Sequence, residues 1–159
     1  MMTRVMAVGV FDLLHAGHLH YLEQAKELGD HLTVVIAHDD TVRMRKHEPV
    51  TGMDLRCRMV AGLKPVDQAI VGNPPSVPIY EILPLVKPDI IAIGYDQQHA
   101  EAAIRTGLDE RGFVDIEVVR VAGLTEDLDG TRKIVEKILS LQWAQKRLSE
   151  IEDGDEGTE

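Results

Sequence analysis

The chain has 159 residues, of which 44% are hydrophobic and 4% aromatic, and its formal net charge is −10. This length is typical of one domain with a substantial core. The negative charge argues against a nucleic-acid-binding protein, whose surface would be basic. The single cysteine excludes an internal disulfide and a multi-cysteine zinc site. Since no apolar run approaches the ~20 residues that span a bilayer, and no signal-peptide core follows the first residues, we expect a soluble cytoplasmic protein without a membrane segment.

Much of the negative charge lies at the carboxyl terminus. Residues 150–159 contain six acids and no base, so four of the ten net negative charges belong to the rest of the chain. We expect residues 1–148 to form a single domain and residues 149–159 to form an acidic, disordered tail. A body close to neutrality leaves room for a basic pocket.

The predicted elements alternate between strands and helices. In chain order they are a strand at 4–10, a helix at 19–28, a strand at 32–37, a short basic turn at 39–46, a helix at 55–63, a strand at 68–71, a helix at 78–86, a strand at 89–93, a helix at 99–111, a strand at 116–121 and a long helix at 131–148. The strands are short and continuously apolar, which is typical of strands buried on both faces. This order predicts an α/β fold with a doubly wound, five-stranded parallel sheet and right-handed crossovers.

Two of the predicted strands end in polar segments that contain or follow a glycine. These segments are Val10-Phe11-Asp12 and Gly94-Tyr95-Asp96. Ligands of doubly wound sheets bind at the carboxyl ends of the strands, where the strand order reverses. We therefore expect these two ends to lie side by side and to form the site.

Two histidines follow the first strand, with a glycine between them. His15 and His18 are three residues apart, about one helical turn, so both can face one point at a helix start. Free N–H groups at that start favour phosphate oxygens, and Gly17 lets the backbone approach them closely. The alternatives are two ordinary histidines or a zinc site, but no third ligand stands at suitable spacing. The pattern favours a nucleotide site, with His20 on the solvent side of the helix.

Residues 9–22 resemble the first motif, HxGH, of the cytidylyltransferase-like nucleotidyltransferases. This family includes glycerol-3-phosphate cytidylyltransferase, heptose-phosphate adenylyltransferases and archaeal-type FAD synthases. Further segments occur in the family's order, namely Leu28-Gly29-Asp30, Asp39-Asp40-Thr41-Val42, Arg56 with Met59-Val60, Leu63-Lys64-Pro65-Val66-Asp67, Lys87-Pro88-Asp89-Ile90 and Gly94-Tyr95-Asp96-Gln97. Residues 64–67 and 94–97 are most similar to archaeal-type FAD synthases, and the resemblance covers about residues 4–138.

The resemblance implies a Rossmann-like, HUP-type fold and a specific reaction. In that reaction the phosphate of FMN attacks the α-phosphorus of ATP in line, forming FAD and releasing pyrophosphate. A divalent cation, Mg²⁺, would be held largely by the triphosphate rather than by protein ligands. Positioning and charge stabilisation would suffice without a covalent intermediate. By analogy with relatives, the chain would form a homodimer through the edge near its first helices.

The resemblance also implies roles for individual residues. The backbone of Val10 and Phe11 would contact the nucleotide, and His15 and His18 would bind the phosphates, with Ala16 and Gly17 lining the same turn. Asp96 would bind a nucleoside hydroxyl, Arg45 or Lys46 would bind a phosphate, and Arg56 would lie near the triphosphate. Leu124 and Thr131 would also contact the nucleotide. Each has a plainer alternative. Asp96 could close a turn, the basic residues near position 45 could form a solvated turn, and Arg56 could lie on the helix surface. Asp39 is interpreted as a cap of the turn that follows it.

The chain departs from its relatives at three places. Many members carry a Ser/Thr-rich signature at the start of the last helix, and here Thr131 keeps one hydroxyl while Gly130 replaces the neighbouring serine. Arg132 and Lys133 could compensate electrostatically. Ala16 stands where archaeal relatives usually have proline, and Val10 where they often have threonine. Because heptose-type enzymes commonly carry that alanine, a cytidylyl- or adenylyltransferase for glycerol phosphate or a sugar phosphate remains an alternative. A non-catalytic nucleotide sensor is the other.

Overall fold

A computed structural model describes residues 1–45, 47–125 and 130–155, without the side chains of residues 98, 99 and 150–155. Within these residues the strands are β1 (Arg4–Gly9), β2 (His31–Ile36), β3 (Gln68–Val71), β4 (Ile90–Ile93) and β5 (Glu117–Arg120). The helices are α1 (Ala16–Glu27), α2 (Asp39–Arg45), α3 (Met53–Ala61), α4 (Leu83–Val86), α5 (Gln98–Asp109) and α6 (Thr131–Asp155), with a 3-10 turn at Ile79–Ile82 before α4. None of the described helices is both long and apolar enough to cross a bilayer.

The strands form one parallel sheet in the order β3-β2-β1-β4-β5. This confirms the predicted doubly wound α/β fold. The strand order reverses between β1 and β4, which pair from Val5 opposite Ile90 to Ala7 opposite Ala92. The two polar strand ends therefore lie side by side, as the sequence predicts. The topology places a ligand crevice at this point.

Successive side chains of a strand point to opposite faces of the sheet, and both faces are buried. On one face, Val5 and Ala7 pack with Leu22 of α1 and Val60 of α3. On the other face, a second cluster is formed by Met6, Val35, Ile82, Leu83, Ile91, Ile93, Leu108 and Val118. This double burial explains why the strands are continuously apolar rather than alternating.

Several predicted element boundaries need correction. The expected basic turn at residues 39–46 is a helix, α2, because Asp39 and Asp40 in its first turn and Arg43 and Arg45 in its last complement the helix dipole. The expected helix at 78–86 divides into a 3-10 turn and a single α-helical turn, since Pro84 cannot donate within a longer helix.

The last helix extends beyond its predicted end. α6 continues to Asp155, seven residues past Leu148, so the part of the acidic tail up to that residue is helical rather than disordered. Residues 148–153 include no glycine or proline, and half of them are good helix formers, so no helix-breaking residue stops the helix there. Residues 156–159 lie outside the described residues, and the division into a domain and a tail stays a prediction.

The carboxylate of Asp67, which directly precedes β3, connects this segment to α1 and β2. Oδ2 of Asp67 accepts hydrogen bonds from the Leu32 amide of β2 at 2.7 Å and from Nζ of Lys26 of α1 at 2.6 Å. Although burial tends to raise the pKa of Asp67, these two donors hold it below its usual value. The charged form of Asp67 therefore stabilises the fold.

We expect this contribution to disappear in acid. Because the pKa of Asp67 is lower in the folded state, its stabilisation is present above the unfolded value of about 3.9 and is lost as pH falls through the folded value. Asp67→Asn should lower the free energy of unfolding near pH 7 by about 1 kcal/mol and should match the wild type below the folded pKa. Urea unfolding at a series of pH values measures this.

Asp109→Asn is a matched control, since Asp109 is an exposed carboxylate at the end of α5. The control should leave the acid dependence unchanged. An Asp67→Asn protein whose stability follows the wild type at every pH would contradict the assignment.

Candidate active site

An open cavity of about 1330 Å³ lies at the carboxyl ends of β1 and β4. It is lined by most of the predicted site residues, namely Val10, Phe11, His15, Gly17, His18, Arg45, Asp96, Leu124 and Thr131. Ala16 is the exposed first residue of α1 and Arg56 lies inside the protein, and neither lines the cavity. Lys46 lies outside the described residues. The sequence therefore locates the cavity correctly, while two of the assigned side chains do not reach it.

The two predicted histidines meet at the amino end of α1. Their rings stack with centroids 3.7 Å apart and planes inclined by 22°. His15 is the N-cap of the helix, and its Nδ1 accepts a hydrogen bond from the His18 amide at 3.3 Å. A neutral imidazole that accepts at Nδ1 carries its proton on Nε2. His15 can therefore donate from Nε2 to an anion at this helix end.

An aromatic stack supports the histidine pair from below. The ring of Phe11 lies 5.3 Å from the ring of His18 and 6.2 Å from that of Tyr21. The hydroxyl of Tyr21 donates to the carbonyl of Ala92 in β4 at 2.9 Å, and its burial raises the pKa of Tyr21 well above the ordinary value. Tyr21 thus ties α1 to the end of β4 and fixes the floor on which His18 rests.

The loop between β1 and α1 has strained backbone. Phe11 and Leu13 adopt left-handed conformations, with φ of 55° and 49°. Such conformations are uncommon for residues other than glycine and persist only where the surrounding structure imposes them. Gly9 is required beside this loop, because a Cβ on Gly9 would lie 2.7 Å from the ring of Phe11.

A buried polar cluster, which we call the anchor, imposes this loop conformation. In it the guanidinium of Arg56, which is 1% exposed, donates to the carbonyls of Val10, Ala37 and Thr51 and to Oδ1 of Asp39 at 2.6 Å. The second member is Asp12, whose carboxylate accepts from the amides of Val50 at 2.7 Å and Thr51 at 3.0 Å. The anchor therefore joins the loop after β1 to the end of β2 and to the segment before α3.

The predicted role of Arg56 as a nucleotide contact is corrected by this geometry. Its Nε, Nη1 and Nη2 all donate to protein acceptors, so the side chain holds the walls of the site instead of touching a ligand. Asp39, interpreted from the sequence as a cap, is instead the first residue of α2 and the ion-pair partner of Arg56. Although burial acts to raise it, the pKa of Asp39 lies below its usual value because Arg56 donates to the carboxylate.

The cavity lining is basic, in contrast to the acidic chain. Among the described residues that line it, the charged side chains are Arg45, Arg132 and Lys133 against the single carboxylate of Asp96, with histidines at positions 15, 18, 20 and 38. Arg43 does not belong to this lining, because Glu48 and Asp40 bind its guanidinium on the surface. The structure thus separates Arg45, which faces the cavity, from its neighbour in the basic helix α2.

The end of β4 supplies the opposite wall. Asp96 is exposed at the mouth of the cavity, and Gln97, not Asp96, is the cap residue of α5. Tyr95 packs flat against Gly123, where a Cβ would come within 2.6 Å of the ring. Leu124 lines the cavity, as the resemblance implies, and Gly123 lines it beside Leu124, whereas residues 126–129 of the same loop lie outside the described part of the chain.

The start of α6 closes the cavity on a third side. Gly130 and Thr131 line it together with Arg132 and Lys133, so the helix that lacks the usual serine still presents its amino end to the site. This arrangement agrees with the predicted position of Thr131 and allows the two basic residues to face the same space.

The expectation that His20 is solvent-exposed is wrong. His20 lines the cavity, and its Nε2 is buried with no hydrogen-bond partner within the described residues. Helical spacing alone suggested the outer side of α1, but His20 is only partly exposed and belongs to the cavity lining. The spacing of residues along a helix does not show which of its sides borders a cavity.

Sequence reasoning missed other residues that build the site. The sequence analysis predicts no role for Tyr21 or Asp12. Each is a polar residue in the region of the first motif, and this polarity is the signal that could have indicated a buried hydrogen-bonding group. The lining also includes His38, Thr41, Asn73 and a proline-rich stretch from Pro74 to Tyr80. In the part of the chain that the structure describes, no cluster of three or more His, Cys, Asp or Glu side chains could hold a metal ion.

Comparison with known proteins agrees with this geometry. A family model described as cytidylyltransferase-like matches residues 6–149. An FAD synthase of Aciduliprofundum boonei is 47% identical over 87% of this chain and 91% of the relative. An FAD synthase of Thermococcus onnurineus is 45% identical over 86% of this chain and 91% of the relative.

Solved structures share the fold. A lipopolysaccharide core biosynthesis protein from Thermoplasma volcanium superposes with a TM-score of 0.73 and 41% identity, covering 79% of this chain and 100% of that protein. A protein of unknown function from Archaeoglobus fulgidus superposes with a TM-score of 0.59 and 23% identity, over 76% of this chain and 90% of that one. The second comparison concerns the fold alone.

The anchor gives a testable consequence for stability. Arg56→Lys keeps the positive charge but loses the planar fork that reaches several acceptors at once. We expect it to lower the free energy of unfolding by about 2–4 kcal/mol, because buried carbonyls lose their donors. Arg58→Lys is the matched control, since Arg58 is exposed on the same helix and should change stability by less than about 0.5 kcal/mol. Equal urea midpoints for the two variants would remove the anchor from the account.

Proposed function

The chain belongs to the cytidylyltransferase-like family, and from this premise we propose that it is an FMN adenylyltransferase, which transfers AMP from ATP to FMN and releases pyrophosphate. The observation that carries the proposal is the stacked pair His15 and His18 at the amino end of α1, facing a basic cavity where the strand order reverses. The curated relatives named above carry the name of the same activity.

In this proposal ATP lies between three cavity walls. Its triphosphate meets His15, His18 and the amino end of α1, with Arg45 and the start of α6 on either side. Helix amino ends and basic side chains stabilise phosphate oxygens together. The nucleoside lies along the loop at Gly123 and Leu124, and Asp96 accepts a hydrogen bond from a ribose hydroxyl. The backbone of Val10 and Phe11 borders the same space.

The reaction needs no covalent enzyme intermediate. A phosphate oxygen of FMN forms a new bond to the α-phosphorus of ATP while the bond from that phosphorus to the bridging oxygen breaks, and pyrophosphate leaves with the electron pair. Negative charge on the α-phosphate oxygens is met by donors that are already in place at His15 and His18, which is the most effective form of transition-state stabilisation. Holding the two phosphates in line contributes the rest.

The cavity also has space for the flavin. Its side opposite α1 is lined by apolar residues of the sheet and by segments near α4 and α5, which include Val8, Val35, Leu83, Ile91, Ile93 and Ile104. Only 4% of the residues are aromatic, so the chain has few rings that could form a flavin slot. Aliphatic side chains supply it in this proposal, and Tyr80 lies at its edge.

The divalent cation enters this proposal as part of the substrate, the Mg²⁺ complex of ATP. In that complex the ion would be bound mainly by phosphate oxygens and water, as Mg²⁺ commonly is. We place the reaction in the cytoplasm, where both substrates are available.

A substrate screen tests the activity. Purified protein incubated with ATP, FMN and Mg²⁺ should form FAD and pyrophosphate in equal amounts, whereas glycerol phosphate or sugar phosphates should release little pyrophosphate. CTP in place of ATP separates adenylyl from cytidylyl transfer. The name of the Thermoplasma volcanium structure and the alanine at position 16 are the reasons to include sugar phosphates. Nucleotide binding with no pyrophosphate release under any combination would indicate a sensor and refute the proposal.

A single substitution tests the role of the histidine pair. His18→Ala removes one donor to the α-phosphate and should lower kcat by at least about tenfold, with losses of 10²–10³-fold typical of such donors. His47→Ala is the control, because His47 is exposed and does not line the cavity. Thermal unfolding of both variants should remain cooperative. If His18→Ala turned over as fast as His47→Ala, the assigned role would be lost.

A further inference from the structure

The end of β2 carries a histidine, His38, that lines the cavity. β2 pairs with β1 as far as Ile36 opposite Gly9, and the amide of Ala37 donates to the carbonyl of Gly9 at 2.9 Å. The guanidinium of Arg56 donates to the carbonyl of Ala37 at 2.9 Å. The backbone directly before His38 is therefore held by the sheet and by the anchor, and His38 lies one strand away from the end of β1.

Hydrogen bonds fix the orientation of the His38 ring. Its Nδ1 accepts from the amide of Asp40 at 3.2 Å, and its carbonyl accepts from the amide of Val42 at 3.1 Å. A neutral ring that accepts at Nδ1 carries its proton on Nε2. The side chain is 20% exposed, and within the described residues no group accepts a hydrogen bond from Nε2. His38 therefore has a fixed N–H donor that is left for a ligand in the cavity.

The same arrangement occurs at His15 on the neighbouring strand. There too, Nδ1 accepts from an amide in the first turn of the following helix, so that the proton is on Nε2. Two adjacent strands thus each lead to an imidazole that lines the same cavity. The proposed reaction brings together two phosphate groups, the α-phosphate of ATP and the phosphate of FMN. His15 and His18 are assigned to the first, and His38 is a donor for the second.

The charges around His38 suit an anion. The two carboxylates that follow it in the chain are bound by arginines, since Arg56 donates to Asp39 at 2.6 Å and Arg43 donates to Asp40 at 2.8 Å. These ion pairs largely neutralise the carboxylates. One oxygen of Asp40 lies 3.6 Å from Nδ1 of His38, so this carboxylate faces Nδ1 rather than Nε2. An anion at Nε2 therefore meets a donor and no unpaired carboxylate of this segment.

The order of the strands indicates which phosphate His38 binds. In the proposed arrangement the nucleoside of ATP lies at Asp96 and Leu124, after β4 and β5, whereas β2 lies on the other side of β1. The pyrophosphate lies toward the start of α6, and in an in-line transfer the attacking oxygen approaches from the side opposite the leaving group. The β2 side of the cavity is then left for the acceptor, whose apolar slot includes Val35 of β2.

We propose that Nε2 of His38 donates to a phosphate oxygen of FMN and positions this phosphate for attack, an inference that rests on the proposed function. Near pH 7 the phosphate of FMN is largely a dianion, because the second pKa of a phosphate monoester is about 6. It attacks through an unprotonated oxygen, so no base is required. His38 holds one of the other oxygens and keeps its proton. It is thus a binding residue for the acceptor and not a proton carrier.

The first test compares two flavins that differ only in the phosphate. FMN and riboflavin are titrated by flavin fluorescence in the presence of an ATP analogue with a methylene group between its α- and β-phosphates, which cannot transfer AMP. The wild type should bind FMN more tightly than riboflavin. His38→Asn should weaken FMN binding by about 10- to 100-fold, the range for one lost hydrogen bond to a charged group, and should leave riboflavin binding within about twofold.

Asparagine is chosen because it preserves the start of α2. Its short side chain can still accept from the Asp40 amide, but it cannot reach the position of Nε2. Thermal unfolding of the variant should therefore stay cooperative, with a midpoint close to that of the wild type. His31→Asn is the matched control, since His31 lies at the other end of β2 and does not line the cavity. It should leave the affinities for both flavins unchanged. His38→Gln, which restores an N–H donor of longer reach, should recover part of the FMN affinity.

Steady-state kinetics tests the same assignment during turnover. His38→Asn should raise the KM for FMN by about tenfold or more and should leave the KM for ATP within about twofold. A histidine that bound the phosphates of ATP would show the reverse pattern, which would contradict the proposal.

Equal weakening of FMN and riboflavin in His38→Asn would also overturn the proposal, because His38 would then only shape the wall of the cavity. Unchanged FMN binding in this variant, or a wild type that does not distinguish the two flavins, would have the same consequence. A failure of the proposed function looks different, because the wild type would then form no FAD from ATP, FMN and Mg²⁺. The flavin titration needs no turnover, so it reports on His38 by itself.

Discussion

The buried guanidinium of Arg56 is the contact on which the site depends. It donates to carbonyls after β1, after β2 and before α3, and it pairs with Asp39. A buried charge without a partner is costly, so the fold must keep these acceptors around it. The same condition fixes the positions of the strand ends that form the cavity. Arg56 thus acts on the ligand site through backbone, at a distance from any ligand.

The anchor holds a strained turn and the start of α1 in place. Phe11 and Leu13 occupy left-handed backbone on either side of Asp12, whose carboxylate is bound by two amides from the segment before α3. This turn sets where α1 begins, and the start of α1 sets where His15 and His18 stack. Preorganised donors are effective because they need no rearrangement when charge develops. The strained turn therefore determines where the two imidazoles lie.

The sequence predicts the parts of this structure that follow from periodicity and topology. Apolar runs locate all the strands of the described sheet within about a residue or two, and the reversal of strand order predicts that the ends of β1 and β4 meet. The sequence does not predict the contacts of Arg56. A helical pattern shows on which face of the helix a residue lies, but not which distant carbonyls it contacts. The predicted solvent exposure of His20 is wrong for the same reason. The predicted end of α6 is too early, because an acidic composition does not by itself prevent a helix.

The distribution of charge explains how an acidic chain can hold a polyanion. Most of the net charge of −10 lies in the last ten residues, while the described cavity lining has three basic side chains against Asp96 alone. At physiological ionic strength the Debye length is about 8 Å, so charges farther away than this have little effect on a ligand. α6 runs for about 37 Å between its basic start at the cavity and its acidic end, which is several times that length. The separation lets net charge keep the protein dispersed while the site stays locally positive.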